Sequence, residues 1–186
     1  MEIVFSTGEG GRKCGGCTLC CKLLPTREVD SKAGERCQHQ RTGKGCAIYE
    51  RRPFSCRMWA CRWLAGDDTA DLRRPDHSRY VIDIMPDYVT MQYEDQPAQH
   101  VEIVQIWCDP RHPDAHRDPA LREFMFRRAL EGKASMIRFN SEDAIVIFPP
   151  PLSSDGEWHE RTSGLKDSRL VQHDARDIFE TLAGLR

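Results

Sequence analysis

Eight cysteines between Cys14 and Cys61 constrain this chain more than any other feature of its sequence. The ninth, Cys108, stands alone. In a short secreted chain, thiols at such density form disulfides that substitute for a core. Here 186 residues, 39% of them apolar, allow a core without covalent staples. The N-terminus offers only Ile3, Val4 and Phe5 as an apolar run, too short for a secretion signal. No stretch approaches the roughly 18–20 apolar residues of a membrane span. The expectation is a cytoplasmic protein with no membrane partner. In that reducing setting, clustered thiols are metal ligands sooner than disulfides.

The spacing sharpens the expectation. Cys14-Gly-Gly-Cys17-Thr-Leu-Cys20-Cys21 opens the cluster, and Cys37, Cys46, Cys56 and Cys61 complete it. Two residues between cysteines let both sulfurs turn toward one ion while the intervening amides donate to them. Iron–sulfur proteins use similarly short spacings, so spacing alone leaves Zn2+ and a [4Fe-4S] cluster both open. Eight thiols fill two four-ligand sites, or one [4Fe-4S] cluster plus a zinc. The adjacent Cys20 and Cys21 do not suit one ion comfortably. They point to two metal sites, or to only one of the pair as ligand. His39, two residues after Cys37, is a substitute ligand in reserve, and a second-shell or surface role suits it better.

Read together, Cys14-x-x-Cys17-x-x-Cys20-Cys21 and Cys46-x-Ile48-Tyr49-x-x-Arg52-Pro53-x-x-Cys56-Arg57 resemble the YkgJ-type family of cysteine-cluster proteins. That family is described as zinc- or iron-chelating with eight cysteines, and the resemblance covers residues 14–61. It implies that Cys14, Cys17, Cys20, Cys21, Cys37, Cys46, Cys56 and Cys61 are all metal ligands. A related cysteine motif occurs in flagellin lysine N-methylases, which are much longer chains. That likeness implies an alternative, an iron–sulfur-dependent enzyme or an electron- or group-transfer protein.

Charge is distributed unevenly. Residues 1–66 hold 12 Lys or Arg and 6 Asp or Glu, whereas residues 67–186 hold 15 and 23. A basic segment can signal nucleic acid. Tetrathiolate zinc sites are themselves negative, however, so Arg51, Arg52, Arg57 and Arg62 read as compensation for the thiolates. The aromatic interleaving of single-strand binders is also missing. A nucleic-acid partner is therefore not expected, and no protein partner is indicated.

Residues 67–186 pattern as an α+β region, and residues 1–66 as an irregular cysteine-cluster region packed with it as one unit. Residues 67–78 are polar and read as the link. Alternation predicts strands at Tyr80–Met85, Tyr88–Tyr93 and Val101–Trp107. Asp118 as cap, Pro119 at the first turn and Gly132 at the end predict a helix with Leu121, Phe124, Met125 and Ala129 facing inward. Met136–Phe139 and Ala144–Phe148 read as a hairpin stopped by Pro149, and a last helix is expected near Ser168–Ala183. The fold class expected is α+β, a metal-bound cysteine region on a mainly antiparallel sheet with two or more helices. Cys108 shares the parity of Val104 and Ile106 and reads as a core thiol. His112 and His116 are spaced i, i+4, but Pro113 between them argues against a helical metal pair. The function expected is a metal-binding protein, zinc or iron–sulfur, whose metal holds structure.

Overall fold

A computed structural model of the chain describes residues 11–91 and 97–162. Glycine and proline recur too often in the cysteine-rich third for long elements, and it folds into short ones. Helix α1 (Cys20–Leu23) is a single turn, and strands β1 (Gln40–Arg41) and β2 (Gly45–Cys46) form a two-stranded hairpin. Helices α2 (Phe54–Met58) and α3 (Arg62–Ala65) follow. The polar stretch at 67–78 is not a link but part of the body. Asp67–Thr69 makes a 3-10 turn, and helix α4 (Pro75–Ser78) is one turn begun by proline. Thr69 and Leu72 are both buried. Thr69 is satisfied inside because its hydroxyl donates to the Gly66 carbonyl at 3.0 Å and accepts from Arg12 at 3.0 Å. Composition misleads here, since a buried polar group with hydrogen-bond partners carries little penalty.

A six-stranded mixed sheet follows, built from β3 (Tyr80–Ile82), β4 (Asp87–Met91) and β5 (Gln99–Cys108). After helix α5 (Pro119–Leu130) come β6 (Ala134–Arg138), β7 (Ala144–Phe148) and β8 (His159–Arg161). The ten-residue β5 is the spine. One of its edges pairs antiparallel with β4 over Gln99–Ile103 and with β3 over Ile106–Cys108. Its other edge pairs with β6 in parallel, Ile103 opposite Ala134, and α5 makes the crossover that a parallel pair requires. The β6–β7 and β7–β8 pairs are antiparallel. The fold is thus α+β, with a mainly antiparallel sheet.

Most boundaries follow from identifiable side chains. Asp118 Oδ1 accepts the Ala120 amide at 3.0 Å and caps α5, while Gly132, at φ +81°, takes the chain out of it. Leu121, Phe124, Met125 and Ala129 are the buried face. Strand β3 stops at Ile82 rather than Met85. The Asp83 carboxylate turns back to accept the Met85 amide at 2.9 Å and Trp59 Nε1 at 2.8 Å, which ends the pairing. The second strand begins one residue early, at Asp87, and the stretch after Met91 that was expected to continue it lies outside the described residues. The helix expected near Ser168–Ala183 also lies outside them.

The pleat divides β3 and β5 between two cores. Tyr80, Ile82, Val104, Ile106 and Cys108 pack against Leu121, Phe124 and Met125 of α5. Val81 and Trp107 point the other way and pack with Leu19, Leu23, Ala33 and Cys61. The cysteine-rich segment is therefore seated directly on the sheet. Leu19 and Leu23 are the apolar residues that seat it, each contributing on the order of 2 kcal/mol by leaving water. A second tie is polar. Lys22 Nζ meets the fully buried Asp109 carboxylate at 2.5 Å, joining α1 to the residue after β5. Among the described residues no helix is long and apolar enough to cross a membrane.

Candidate metal centre

The first cysteine block closes as a turn, the Cys17 amide donating to the Cys14 carbonyl at 2.8 Å. Gly16 makes the approach behind it possible. A Cβ there would stand 2.4 Å from the Gly43 carbonyl oxygen, so only glycine lets the turn rest on the tip of the β1–β2 hairpin. That hairpin carries Cys46, paired across from Gln40. Gln40 Nε2 donates in turn to Thr18 Oγ1 at 2.7 Å and to the Thr18 carbonyl at 3.2 Å, which ties the hairpin to the first block.

Helix α1 supplies the adjacent pair. Cys20 and Cys21 have their Sγ atoms 4.0 Å apart. Two thiolates bound at about 2.3 Å to a tetrahedral zinc stand about 3.8 Å apart. The two sulfurs face the same side, so their adjacency in sequence does not by itself impose two sites. Cys37 is held beside them by its amide, which donates to the Cys21 carbonyl at 2.9 Å. Cys56 comes from α2, its Sγ 4.0 Å from Thr26 Oγ1. Cys61, buried, stands immediately before α3.

The electrostatics show which sulfurs feel one another. Burial raises the Cys14 and Cys17 thiols, and Cys14 is raised further by Cys21. The Cys20–Cys21 sulfur contact raises Cys20 well above the ordinary thiol value and brings Cys21 down to about 7. Burial pushes Cys61 to about 12, with Cys14 and Cys17 adding to the rise. It pushes Cys56 to about 11, with Cys21 and Cys37 adding. Seven of the eight expected ligands are thus linked by mutual repulsion of their charged forms, while Cys46 lies on the hairpin opposite Gln40. Nearby main-chain groups partly offset the rise at Cys17 and Cys61, and the Leu64 amide donates to the Cys61 carbonyl at 2.9 Å.

Two arginines supply the compensating charge. Arg52 acts on Cys14 and Cys21, its guanidinium stacked 3.7 Å from the Tyr49 ring and donating to the Tyr49 carbonyl at 2.9 Å. Arg74 acts on Cys14 and is held by Asp76 at 2.6 Å. Of the four arginines expected in that role, Arg62 is engaged with Asp68 at 2.9 Å, and Arg51 and Arg57 are exposed. Arg74 escaped sequence reasoning because it lies beyond Cys61, the last cysteine of the cluster, and is brought back by the turn before α4.

The remaining candidates sit apart. His39 is half-buried, with its carbonyl accepting the Ala47 amide at 2.8 Å. His112 is exposed and His116 buried, on the 3-10 turn Pro113–Arg117 rather than on an α-helix. Cys108 is fully buried, and burial pushes its thiol to about 12. None of the nine cysteines is in a disulfide. Among the described residues, no three side chains of His, Cys, Asp or Glu stand close enough together to hold an ion. No protein-family model matches the chain, and no curated protein or solved structure shows significant similarity to it.

Proposed function

We propose that the protein is a cysteine-rich metal-binding protein whose metal, zinc or an iron–sulfur cluster, holds the segment from Cys14 to Cys61 in place. One observation supports this most. The Cys20 and Cys21 sulfurs stand 4.0 Å apart, Cys37 is hydrogen-bonded to Cys21 through the main chain, and the charges of Cys14, Cys17, Cys21, Cys37 and Cys61 add to the raised values of neighbouring thiols. Buried thiolates in mutual repulsion are unfavourable without a cation, and a bound ion reverses that balance by deprotonating its ligands. The donor set fits either metal: all sulfur, with one pair near the spacing of a tetrahedral edge. A cytoplasmic setting, where thiols stay reduced, belongs to this reading.

The test is metal content together with the absorption spectrum of protein purified without oxygen. A stoichiometric, colourless zinc protein supports the structural reading. A brown protein with broad visible absorption makes the metal iron–sulfur and opens the electron- or group-transfer alternative. A fully folded protein without metal refutes the proposal. Cys17→Ser and Cys56→Ser should each cut metal content sharply, whereas Cys108→Ser, remote from the cluster, should leave it unchanged.

A further inference from the structure

Where α4 meets the turn after β5, the surface forms a groove of about 570 Å³. Arg73, Arg79, Arg111 and Arg117 line it, with His77 and His112. Its only acidic lining is Asp114 and Asp118, and both are engaged. Asp118 caps α5 through Oδ1 and takes Arg73 on Oδ2 at 3.0 Å. Asp114 lies 3.6 Å from Arg117. Arg111 reaches the buried Asp109 at 3.2 Å, but Lys22 already neutralises that carboxylate from the other side. Arg79 has no acidic partner among the described residues. The groove therefore carries an excess of positive charge.

The backbone at Arg79 adds an independent reason. Arg79 ends α4 at φ 69° and ψ 16°, the left-handed conformation that suits glycine and is unfavourable for any residue with a Cβ. The bend is fixed by main-chain bonds: the Arg79 amide donates to the Pro75 carbonyl at 2.8 Å, and the Arg79 carbonyl accepts the Asp109 amide at 2.9 Å. Glycine would make the same two bonds with less strain. The arginine side chain contributes nothing to the bend, and it is exposed in a cationic groove. A strained residue whose side chain lacks a structural task marks a place where a ligand is met.

The lining also selects the ligand's chemistry. Several guanidinium forks in one groove match phosphate oxygens, which accept paired donors. No Phe, Tyr or Trp lines the groove, so a nucleobase finds none of the large rings on which single strands are stacked. We propose that this groove binds a small molecule through a chain of phosphates, with Arg79 contacting the anion. No cysteine lines it, so the proposal does not depend on metal in the cluster.

The probe is inorganic tripolyphosphate, titrated calorimetrically into the full-length protein as purified, at low and then at physiological salt. Saturable one-to-one binding that weakens as salt rises is expected. Arg79→Gly should weaken it about tenfold or more, the scale of one lost charge-assisted contact. The same variant should melt no lower than the wild type, because glycine relieves the backbone. Lys133→Gln, in a different part of the surface, should bind as the wild type does. Absence of saturable binding overturns the proposal, as does an Arg79→Gly variant that binds normally or melts lower. Equal loss in Lys133→Gln would show diffuse attraction rather than a site. A single-stranded RNA oligomer that binds more tightly than tripolyphosphate, with affinity growing with its length, would overturn it in favour of a nucleic-acid surface.

Discussion

Asp109 is fully buried yet ionised, because burial, which would raise its carboxyl, is outweighed by hydrogen bonds from Lys22 and Arg111 that hold it down to about 2. The ordinary unfolded value is about 3.9. A carboxyl depressed on folding contributes stability above its unfolded pKa and loses it as pH falls through the folded one. The interval of loss here is about pH 4 to pH 2, and the full contribution near neutrality is on the order of 2–3 kcal/mol. Asp109→Asn should lower neutral-pH stability by about that much and flatten the acid limb of the stability profile. Denaturant melts between pH 2 and pH 7 check both outcomes, and an acid limb unchanged in the variant would place the loss elsewhere. Nothing in the sequence announces this pair. Lys22 and Asp109 are distant in the chain, and only the seating of α1 on the end of β5 brings them together.

At the scale of elements, α5 was fully legible because its cap, its proline, its terminal glycine and its apolar stripe all agree. The short helices were not. Turns of four or five residues such as α1 and α4 carry too little periodicity to register, and their positions are set by hydrogen bonds to distant segments. Strand β8 was missed for a similar reason: His159–Arg161 is short and polar, and it is a strand only because it pairs with the edge of β7. The legible helix makes a sharp contrast available. Phe124 is fully buried against the sheet, whereas Leu130 is 67% exposed on the same helix. Phe124→Ala should destabilise by about 3–5 kcal/mol, and Leu130→Lys by less than about 0.5 kcal/mol. Chemical denaturation of the two variants checks the difference. Comparable losses would mean that α5 buries a different face.

For the molecule as a whole, the cysteines could be read from sequence as a set, but their geometry could not. Spacing identified the eight thiols. It could not show that Cys20 and Cys21 face the same way, or that Arg74 returns to the cluster from beyond it. If metal holds the cysteine segment, a strong chelator should raise amide exchange across residues 14–61 first. Protection at Ile106 and Ile137, buried in the α5 core, should persist. Hydrogen exchange followed by mass spectrometry measures this, and simultaneous loss everywhere would mean that metal secures the entire fold.

The opposed side chains of β3 and β5 make each half of the molecule the floor of the other. Val81 and Trp107 lie beneath the cysteine segment, while their neighbours Tyr80, Ile82, Ile106 and Cys108 lie beneath α5. A break near residue 66 would leave Leu19 and Leu23 bare on one fragment and Val81 and Trp107 bare on the other. Neither fragment would be a portable cassette. Grafting the cysteine segment onto another sheet would require a replacement apolar floor for Leu19 and Leu23.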